Sequence, residues 1–505
     1  MLFLPESIKA YGPRRLFNHT SSWEPGSLRQ KIWGQVIFSV TLFLTVFSPL
    51  AYGAVEPWSI KVVGGGILMI ICAGILQRFR HKPISFPPVP FLFCSGLLFC
   101  LIVCQLLPLP GAWRDFLSPA TARNSVIPTL TWGPRVWAVF YSGSTISVHP
   151  SATVIAALTL AACLFFSITF YASGMEPWKF KALLATLIGL GTFEAIYGLI
   201  EYGAGTQHIF WLRKTYYLEE VTGTYINHNH FAGLMEMILP IAISAFVLQF
   251  SGSQERPLES QRRWNILPQG DFIGSSMLFV SICLMLTALV LSRSRGGLIS
   301  FLIALIFMAY LVAKGSNRFP RITQVKLFLP ILLALVALGL GREISTRFSY
   351  SVRDAPERFE LWVDSFRIVR DFPWLGTGLG TYRDVLANYR PLKDIVVVAG
   401  IPQLARINYA HNDYLQFLVE CGLIGFILLV WALVKTGAYL YKGIRASSDW
   451  ELQVLGWGLV SGMLALALHG FVDFNFHIPA NALIFSLYAG LALKLARLKE
   501  QDRPG

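Results

Sequence analysis

Charged residues are what this sequence has least of. Only 14% of its 505 residues are Asp, Glu, Lys or Arg, whereas 54% are hydrophobic. Soluble globular proteins carry about 25% charged residues. The low charge therefore excludes an ordinary soluble domain. It also excludes a basic nucleic-acid-binding domain, so no nucleic-acid partner is expected despite the net charge of +14.

Motifs for disulfides, metals and nucleotides are missing as well. The seven cysteines all lie in apolar segments without a CxxC pair, and there they serve as small hydrophobic side chains. The sequence has no Walker loop, no HExxH pair, no Gly-x-Ser-x-Gly elbow and no Asp-x-Asp pair. These motifs accompany nucleotide, zinc and hydrolase chemistry. The sequence therefore predicts chemistry without a metal or another cofactor.

Apolar segments of membrane-spanning length recur along nearly the whole chain. A helix needs about 20 apolar residues to cross a bilayer, and β-barrel strands are shorter and alternate in polarity. The sequence therefore predicts an all-α polytopic bundle of about twelve transmembrane helices in a lipid bilayer. The expected spans are 33–53, 58–76, 90–109, 152–172, 180–202, 229–250, 274–291, 297–313, 325–341, 413–434, 452–470 and 479–496.

The distribution of Lys and Arg predicts the orientation. Short connections rich in these residues stay in the cytoplasm, which favours a cytoplasmic location for the tails 1–31 and 497–505. Helices one to nine then occupy 32–341, and helices ten to twelve occupy 413–496. Because no cleavage pattern flanks the first apolar run, a retained signal anchor is expected. The connection 342–412 would face the outside.

The connection 342–412 is too long, at about 70 residues, to be a mere connector. It carries ten Lys or Arg residues, and this excess favours an anionic ligand. A helix is predicted over 356–371, with Arg358 one position off its apolar stripe and its guanidinium free at the mouth of the bundle. Arg358 could equally be an ordinary surface arginine. The apolar residues that recur at helical spacing are Phe359, Trp362, Val363 and Phe366.

His411 and Asn412 lie where this connection enters span ten. The dipole at a helix N-terminus and nearby arginines both disfavour a charged imidazole, so His411 is expected to be neutral and usable as a base. The alternative is a histidine at the membrane interface or in a helix cap. Asn412, Gln416 and Glu420 follow at i, i+4 and i+8. Glu420, an ionisable residue inside a span, is either functional or a structural hydrogen-bond acceptor.

Further candidates lie in neighbouring outer connections. Arg293 and Arg295 occupy a short turn between spans seven and eight, where an anionic ligand or simple interfacial anchoring would explain them. Asn229 belongs to an Asn-His-Asn-His stretch that caps span six and is not expected to bind zinc. Asp473 closes span eleven and could pair with an arginine or orient His411.

Glycines at 376, 378 and 380 predict a tight turn rather than a nucleotide loop, since no strand precedes them.

Together these residues resemble the O-antigen ligase and O-antigen polymerase superfamily of bacterial inner-membrane proteins, over about residues 180–490. The strongest element is His411-Asn412-x9-Gly422-x-x-Gly425. Ser294-Arg295-Gly296, the stretch 223–233 and Arg358-x-x-x-Trp362 support it. In addition, residues 51–58 resemble exopolysaccharide-type members.

The resemblance implies a membrane glycosyltransferase whose donor is a glycan on undecaprenyl pyrophosphate. It implies that Arg295 and Arg358 clamp the pyrophosphate and that His411 activates the acceptor hydroxyl in an inverting displacement. Arg293 duplicates Arg295, so either could be primary. The remaining substrate contacts are expected from Asn229, Asn412, Glu420 and Asp473.

Several functions remain open. A polymerase that extends exopolysaccharide or O-antigen is slightly favoured over a ligase that transfers O-antigen to lipid A–core in lipopolysaccharide biosynthesis. Transfer to protein hydroxyls is a third possibility. A transporter is a different class, but transporters place charges at the membrane midplane, whereas the charges here cluster at one face.

Overall fold

The computed structural model describes residues 28–78, 88–118, 145–172, 176–206, 208–250, 272–315, 351–390, 395–398, 401–404, 407–447 and 449–497. These residues are almost entirely helical. The helices are α1 (Leu28–Leu50), α2 (Pro57–Arg78), α3 (Val89–Leu106), α4 (Gly111–Leu117), α5 (Pro150–Ala172), α6 (Pro177–Ala204), α7 (His228–Phe250), α8 (Phe272–Leu291), α9 (Arg295–Gly315), α10 (Ser351–Asp371), α11 (Tyr382–Leu386), α12 (Asp413–Arg445), α13 (Trp450–His469) and α14 (Pro479–Arg497). Two antiparallel hairpins are formed by β1 (His208–Ile209) with β2 (Leu212–Arg213) and by β3 (Ile395–Val398) with β4 (Ile401–Leu404).

Ten of the described helices are long and apolar enough to cross a membrane. They coincide with ten of the predicted spans, which confirms the all-α polytopic fold. The predicted span 90–109 corresponds to α3, whose apolar part, Phe91–Leu106, is shorter than the other ten. The predicted span 325–341 lies outside the described residues. The span count and the cytoplasmic location of both termini therefore stay predictions.

Helix α7 forms the centre of the bundle. Of its apolar segment His228–Gln249, 89% is buried, against 72% in α13 and in α14 and 22% in α5. A helix that is apolar all round is stable where every face meets another apolar surface. For α7 these surfaces belong to α6, α8, α9 and α13. The first turn of α7 thus lies in the middle of the bundle, at the end where the candidate residues collect.

Helix α12 is broken at Gly422, whose φ of 64° and ψ of −173° are not helical. A break leaves backbone amides and carbonyls without helical partners, and these must be satisfied where water is excluded. The segment 373–378, called the plug here, supplies the partners. The amides of Leu423 and Ile424 donate to the carbonyls of Pro373 (2.8 Å) and Trp374 (3.2 Å).

The plug also donates in the opposite direction. The amides of Thr377 and Gly378 bind the carbonyls of Val419 (3.1 Å) and Glu420 (3.0 Å). A Cβ atom at position 422 would lie 2.3 Å from the Trp374 carbonyl oxygen. Glycine is therefore required there by its φ and by the close approach of the plug. The segment that comes so close to Gly422 is thus the plug and not a neighbouring helix.

Gln105 of α3 holds the plug from the other side. Its Nε2 donates to the carbonyls of Leu375 (2.7 Å) and Glu420 (2.8 Å), and its Oε1 accepts from the Leu379 amide (3.2 Å). The Glu420 carboxylate accepts from the amides of Gly380 (2.8 Å) and Tyr382 (3.2 Å). The glycine run therefore forms a tight turn with a positive φ at each glycine.

The break bends α12 across the outer ends of the bundle. At one end of α12 the Asp413 amide donates to the Gly470 carbonyl just after α13 (2.8 Å). At the other end Gln453 of α13 donates to the Arg445 carbonyl (3.0 Å). A straight helix of 33 residues would be about 50 Å long, whereas the 20 residues of α13 span about 30 Å. Both contacts are possible because residues 413–421 run sideways.

Helix α10 lies beside this outer part of α12. Its inner face contributes Leu361, Ser365 and Ile368 to a small buried cluster that includes Val419 and Tyr382. The predicted helix over 356–371 is confirmed, although it begins earlier, at Ser351. The recurring residues that predicted it do not form its buried face, since Phe359 is 66% exposed and Phe366 58% exposed.

Candidate active site at the outer ends of the helices

The backbone around His411 is held from several sides. The Asn412 side chain caps α12 by accepting from the amides of Tyr414 (3.1 Å) and Leu415 (2.9 Å). The indole of Trp362 donates to the Ala410 carbonyl (3.0 Å). Because its neighbours are fixed, His411 keeps a left-handed φ of 50°, a conformation uncommon for a non-glycine residue and often found at functional sites.

The imidazole of His411 is suited to accept a proton. Burial lowers its pKa below the ordinary 6.5, the positive charges of Arg358 and His230 lower it further, and Asp473 opposes them. Its Nδ1 atom is buried and has no hydrogen-bond partner in the described part of the chain. The ring meets Phe474 edge-on, with centroids 4.9 Å apart. The lowered pKa favours the neutral imidazole, which is the form that can accept a proton.

The turn between α13 and α14 supplies the carboxylate. Asp473 accepts from Asn229 Nδ2 at 2.6 Å and lies 3.5 Å from His230 Nε2. Burial would raise the pKa of Asp473, but the hydrogen bond and charge of His230, with His469 and His411, hold it well below its ordinary value. Asp473 was expected to pair with an arginine or to orient His411. It is bonded instead to the start of α7 and acts on His411 through its charge.

Arg358 reaches the same turn from α10. Its Nη1 donates to the Val472 carbonyl at 2.9 Å, at an exposed position. Its positive charge is one of the causes that lower the pKa of His411. A guanidinium has five N–H donors, so most of the Arg358 fork can still bind an oxyanion.

The start of α9, which carries Arg295, packs against the same turn at Gly296. Gly296 allows this, because a Cβ atom there would lie 2.7 Å from Val472 and 2.8 Å from the ring of His469. Arg295 thus directly precedes the residue that packs against Val472, the partner of Arg358. The Arg295 side chain is exposed and forms no hydrogen bond or ion pair with any residue that the structure describes.

Arg293 and Arg295 differ in their surroundings. Arg293 Nη1 lies 3.2 Å from Glu219 Oε2, and 20% of its side chain is exposed. Its backbone has a left-handed φ of 58°, which turns the chain just before α9 begins. Arg293 is therefore engaged with the segment before α7, whereas Arg295 is open.

The remaining predicted residues take different positions. Asn229 joins the group through Asp473, and Asn412 serves as the helix cap next to His411. Glu420 is placed apart from the group, since its carboxylate binds the amides after the plug and Gln416 (3.1 Å). Of the two alternatives for Glu420, these contacts favour the structural one. The structure thus brings together the start of α7, the start of α9, α10 and the residues around 411 and 473.

The structure also contains an Asp–His pair that the sequence did not predict. His477 Nδ1 lies 2.7 Å from Asp413 Oδ1, and its Nε2 lies 3.0 Å from Gln416 Nε2. Burial would lower the pKa of His477, but the hydrogen bond and charge of Asp413 raise it above the ordinary value. Tyr409 stacks on Phe474 at 4.3 Å and links this pair to His411. No local pattern could have revealed it, because the partners are far apart in sequence.

No group of three or more His, Cys, Asp or Glu side chains that could hold a metal ion occurs within the described ranges.

The central part of the chain matches a known family. Residues 280–430 match the family model described as O-Antigen ligase. This stretch contains Arg295, Arg358 and His411, and it also contains the plug and the break in α12. No curated protein matches the chain. The match over residues 280–430 supports the resemblance of the chain to the O-antigen ligase and O-antigen polymerase superfamily of membrane enzymes.

Proposed function

We propose that the chain is a membrane glycosyltransferase that moves a glycan from undecaprenyl pyrophosphate to an acceptor hydroxyl on the periplasmic side of the bacterial inner membrane. One observation carries the proposal. His411 has a lowered pKa and a buried nitrogen without a partner, and the guanidinium of Arg358 is bonded to the neighbouring turn by only one donor. Arg295 is exposed at the start of α9, which packs against the same turn at Gly296. The transfer requires a neutral base that accepts a proton and positively charged groups that are free to bind the anionic pyrophosphate.

The geometry supports a direct displacement. Arg295 and Arg358 bind the diphosphate with guanidinium forks, which suit phosphate oxygens better than an ammonium does. The acceptor oxygen attacks the anomeric carbon while His411 takes its proton. The bond from that carbon to the diphosphate oxygen breaks, and the charge that develops there is stabilised by the two arginines. Asp473 stabilises the imidazolium that forms.

Attack from the side opposite the leaving diphosphate inverts the anomeric configuration. Since two guanidiniums neutralise the leaving group, we propose that the reaction needs no metal ion.

Between the two main roles we propose polymerisation of exopolysaccharide or O-antigen. The stretch 51–58 resembles exopolysaccharide-type members, and it lies directly behind the site. A Cβ atom at Gly53 would lie 2.9 Å from the ring of Tyr225, and Thr224 Oγ1 donates to the Pro49 carbonyl at 2.9 Å. This stretch therefore supports the segment that leads into Asn229.

A ligase that uses a lipid A–core acceptor is the second candidate. It is favoured by the description of the matched family model, and both roles would use the same donor site. A transporter is less well supported, because the buried carboxylates of Glu194 and Glu236 are hydrogen-bonded to Thr224 and His469. Both carboxylates thus take part in hydrogen bonds inside the bundle.

The test combines gene deletion with complementation. His411→Ala should lower glycan transfer by about 10²–10⁴-fold, the usual loss for a general base, while the protein still inserts in the membrane. His208→Ala, in the exposed β1–β2 hairpin, is the matched control and should restore wild-type product. Wild-type product from His411→Ala would refute the proposed function.

The glycans that the deletion strain accumulates distinguish the two roles. A strain without the polymerase should hold single repeat units on the lipid carrier, or no exopolysaccharide. Long glycans on undecaprenyl pyrophosphate, together with bare lipid A–core, would show that the chain is the ligase instead.

A further inference from the structure

Helix α10 has an apolar face that no described element covers. Phe359 and Phe366 lie on it one above the other, 66% and 58% exposed, with the half-buried Val363 between them. Arg370 continues the same stripe, and its side chain is 82% exposed. Arg367 flanks the stripe and is 56% exposed. The outward face therefore combines aromatic rings with two guanidiniums.

Both ends of α10 are tied to the outer ends of membrane helices. Near its start, Arg358 binds the Val472 carbonyl, three residues beyond α13. Just after its end, the Pro373 carbonyl accepts from the Leu423 amide at the break in α12. The roughly 20 Å between these points therefore runs along the membrane surface. The stripe lies on the face opposite to Leu361 and Ile368, which are buried.

We propose that α10 is an interfacial helix whose outward face rests in the outer leaflet of the bilayer. Phe359 and Phe366 lie at the boundary between headgroups and acyl chains. Arg367 and Arg370 extend to the phosphates of anionic lipids, as long basic side chains do at membrane interfaces. Trp374, 47% exposed directly after the helix, lies at the same level, where tryptophan is enriched.

A protein partner fits this face less well than a lipid surface does. Each aromatic side chain can bury about 150–250 Å², so two phenylalanines and a valine fall short of the roughly 800 Å² per partner of a stable protein interface. The outward face of α10 also carries excess positive charge, which favours an anionic partner. Arg367 is paired with Asp364 at 2.7 Å, but Arg370 approaches Asp371 only to 3.7 Å.

Spin labelling of the chain in lipid vesicles tests the proposal without any assay of activity. In a variant whose seven cysteines are replaced by serine or alanine, single nitroxide labels are placed by Phe359→Cys, Phe366→Cys, Glu360→Cys and Ile368→Cys. The vesicles contain phosphatidylethanolamine and phosphatidylglycerol. Accessibility is measured to oxygen, which concentrates in the acyl region, and to a nickel chelate, which stays in water.

Labels at 359 and 366 should be several-fold more accessible to oxygen than to the chelate. Glu360→Cys, a neighbouring exposed position off the stripe, is the matched control and should show a lower ratio. Ile368→Cys should be inaccessible to both. Preferential access of the chelate at 366 would place the stripe in water, and exclusion of both reagents would show that protein covers it. Either result overturns the proposal.

The two arginines are tested by the lipid composition. The oxygen-to-chelate ratio at 366 should rise with the fraction of phosphatidylglycerol, and the rise should vanish in the Arg367→Gln, Arg370→Gln double variant. If the ratio does not depend on phosphatidylglycerol either with the native arginines or in the double variant, the role of anionic lipid is refuted. If the cysteine-free variant does not fold, Phe366 is replaced by p-benzoylphenylalanine in the otherwise native chain. Photolysis should then add the mass of one phospholipid, and crosslinks only to protein would refute the lipid contact.

Discussion

The charge state of His411 depends on opposing neighbours. Burial, Arg358 and His230 lower its pKa below 6.5, and Asp473 raises it. The base is active when neutral, so the activity should fall only as the pH drops below about 6.5. Removing the negative charge of Asp473 lowers the pKa of His411 further, which keeps the imidazole neutral to a lower pH.

The first prediction follows from that balance. In Asp473→Asn, the acid limb of the kcat profile should move to lower pH, even though kcat itself falls because the imidazolium is less stabilised. The measurement is the turnover of a lipid-linked glycan in proteoliposomes between pH 4.5 and 8. Asp449→Asn, in the helix cap at the opposite end of α13, is the matched control. A limb that moves to higher pH would contradict the placement of Asp473 beside His411.

The second prediction concerns the arginines. Arg295→Lys and Arg358→Lys should each lose most of the activity, because lysine cannot form the bidentate fork. Arg293→Lys should lose less, since Arg293 is engaged with Glu219. Arg213→Lys in the exposed hairpin is the control. Equal losses in Arg293→Lys and Arg295→Lys would refute the assignment of Arg295 as the primary ligand.

A third prediction tests whether guanidiniums alone neutralise the diphosphate. Purified protein should keep its activity in EDTA. Loss of activity that added Mg²⁺ or Mn²⁺ restores would show that a metal ion shares this task.

Single residues with strong chemistry could be predicted from the sequence. Arg295 and His411 stood out because arginine in a short turn between spans and histidine at a helix start conflict with ordinary preferences. Their roles, and that of Arg358, stay predictions. The Asp413–His477 pair could not be found, since its partners meet only when α12 and the turn before α14 are folded. The role of Glu420 was likewise open until its backbone partners after the plug were known.

At the scale of elements, the break in α12 gives the fourth prediction. Gly422→Ala forces a Cβ atom into the Trp374 carbonyl and strains a φ of 64°. It should destabilise the protein by about 3 kcal/mol or more, measured as a lower Tm in detergent. Gly437→Ala in the same helix is the matched control, because nothing lies within 4 Å of the added methyl group. Equal Tm values for both variants would show that the plug does not fill the break.

Helix existence was predictable here, but helix contacts were not. The periodic residues of α10 predicted a helix, yet Phe359 and Phe366 face outward. Periodicity reports which residues share a face and not which medium that face meets. The close neighbour of Gly422 in α12 is a segment about fifty residues upstream, which no local pattern identifies.

For the whole molecule, orientation is the fifth prediction. Reporter fusions after Arg213, in the β1–β2 hairpin, and after Ser447, between α12 and α13, should report opposite sides of the membrane. Alkaline phosphatase should be active at the first site, and green fluorescent protein should fluoresce at the second. The reverse result would place the candidate active site in the cytoplasm and refute the proposed donor.

The class of fold followed from the sequence because twenty apolar residues have few alternatives in water or lipid. The sideways course of residues 413–421 did not follow from it. It depends on two contacts at opposite ends of α13, and hydropathy treats the whole run as one long span.

Hydrogen bonds link α10 and the plug to both sides of the first part of α12. Pro373 and Trp374 are bonded into the break of α12, and the indole of Trp362 is bonded to the Ala410 carbonyl. These bonds restrict the distance between Arg358 on α10 and His411 before α12. Arg295 lies on a separate helix, so these bonds do not set its distance from Arg358 and His411. If the proposed donor binds there, we expect that a change in the spacing of the two arginines requires a shift of α9.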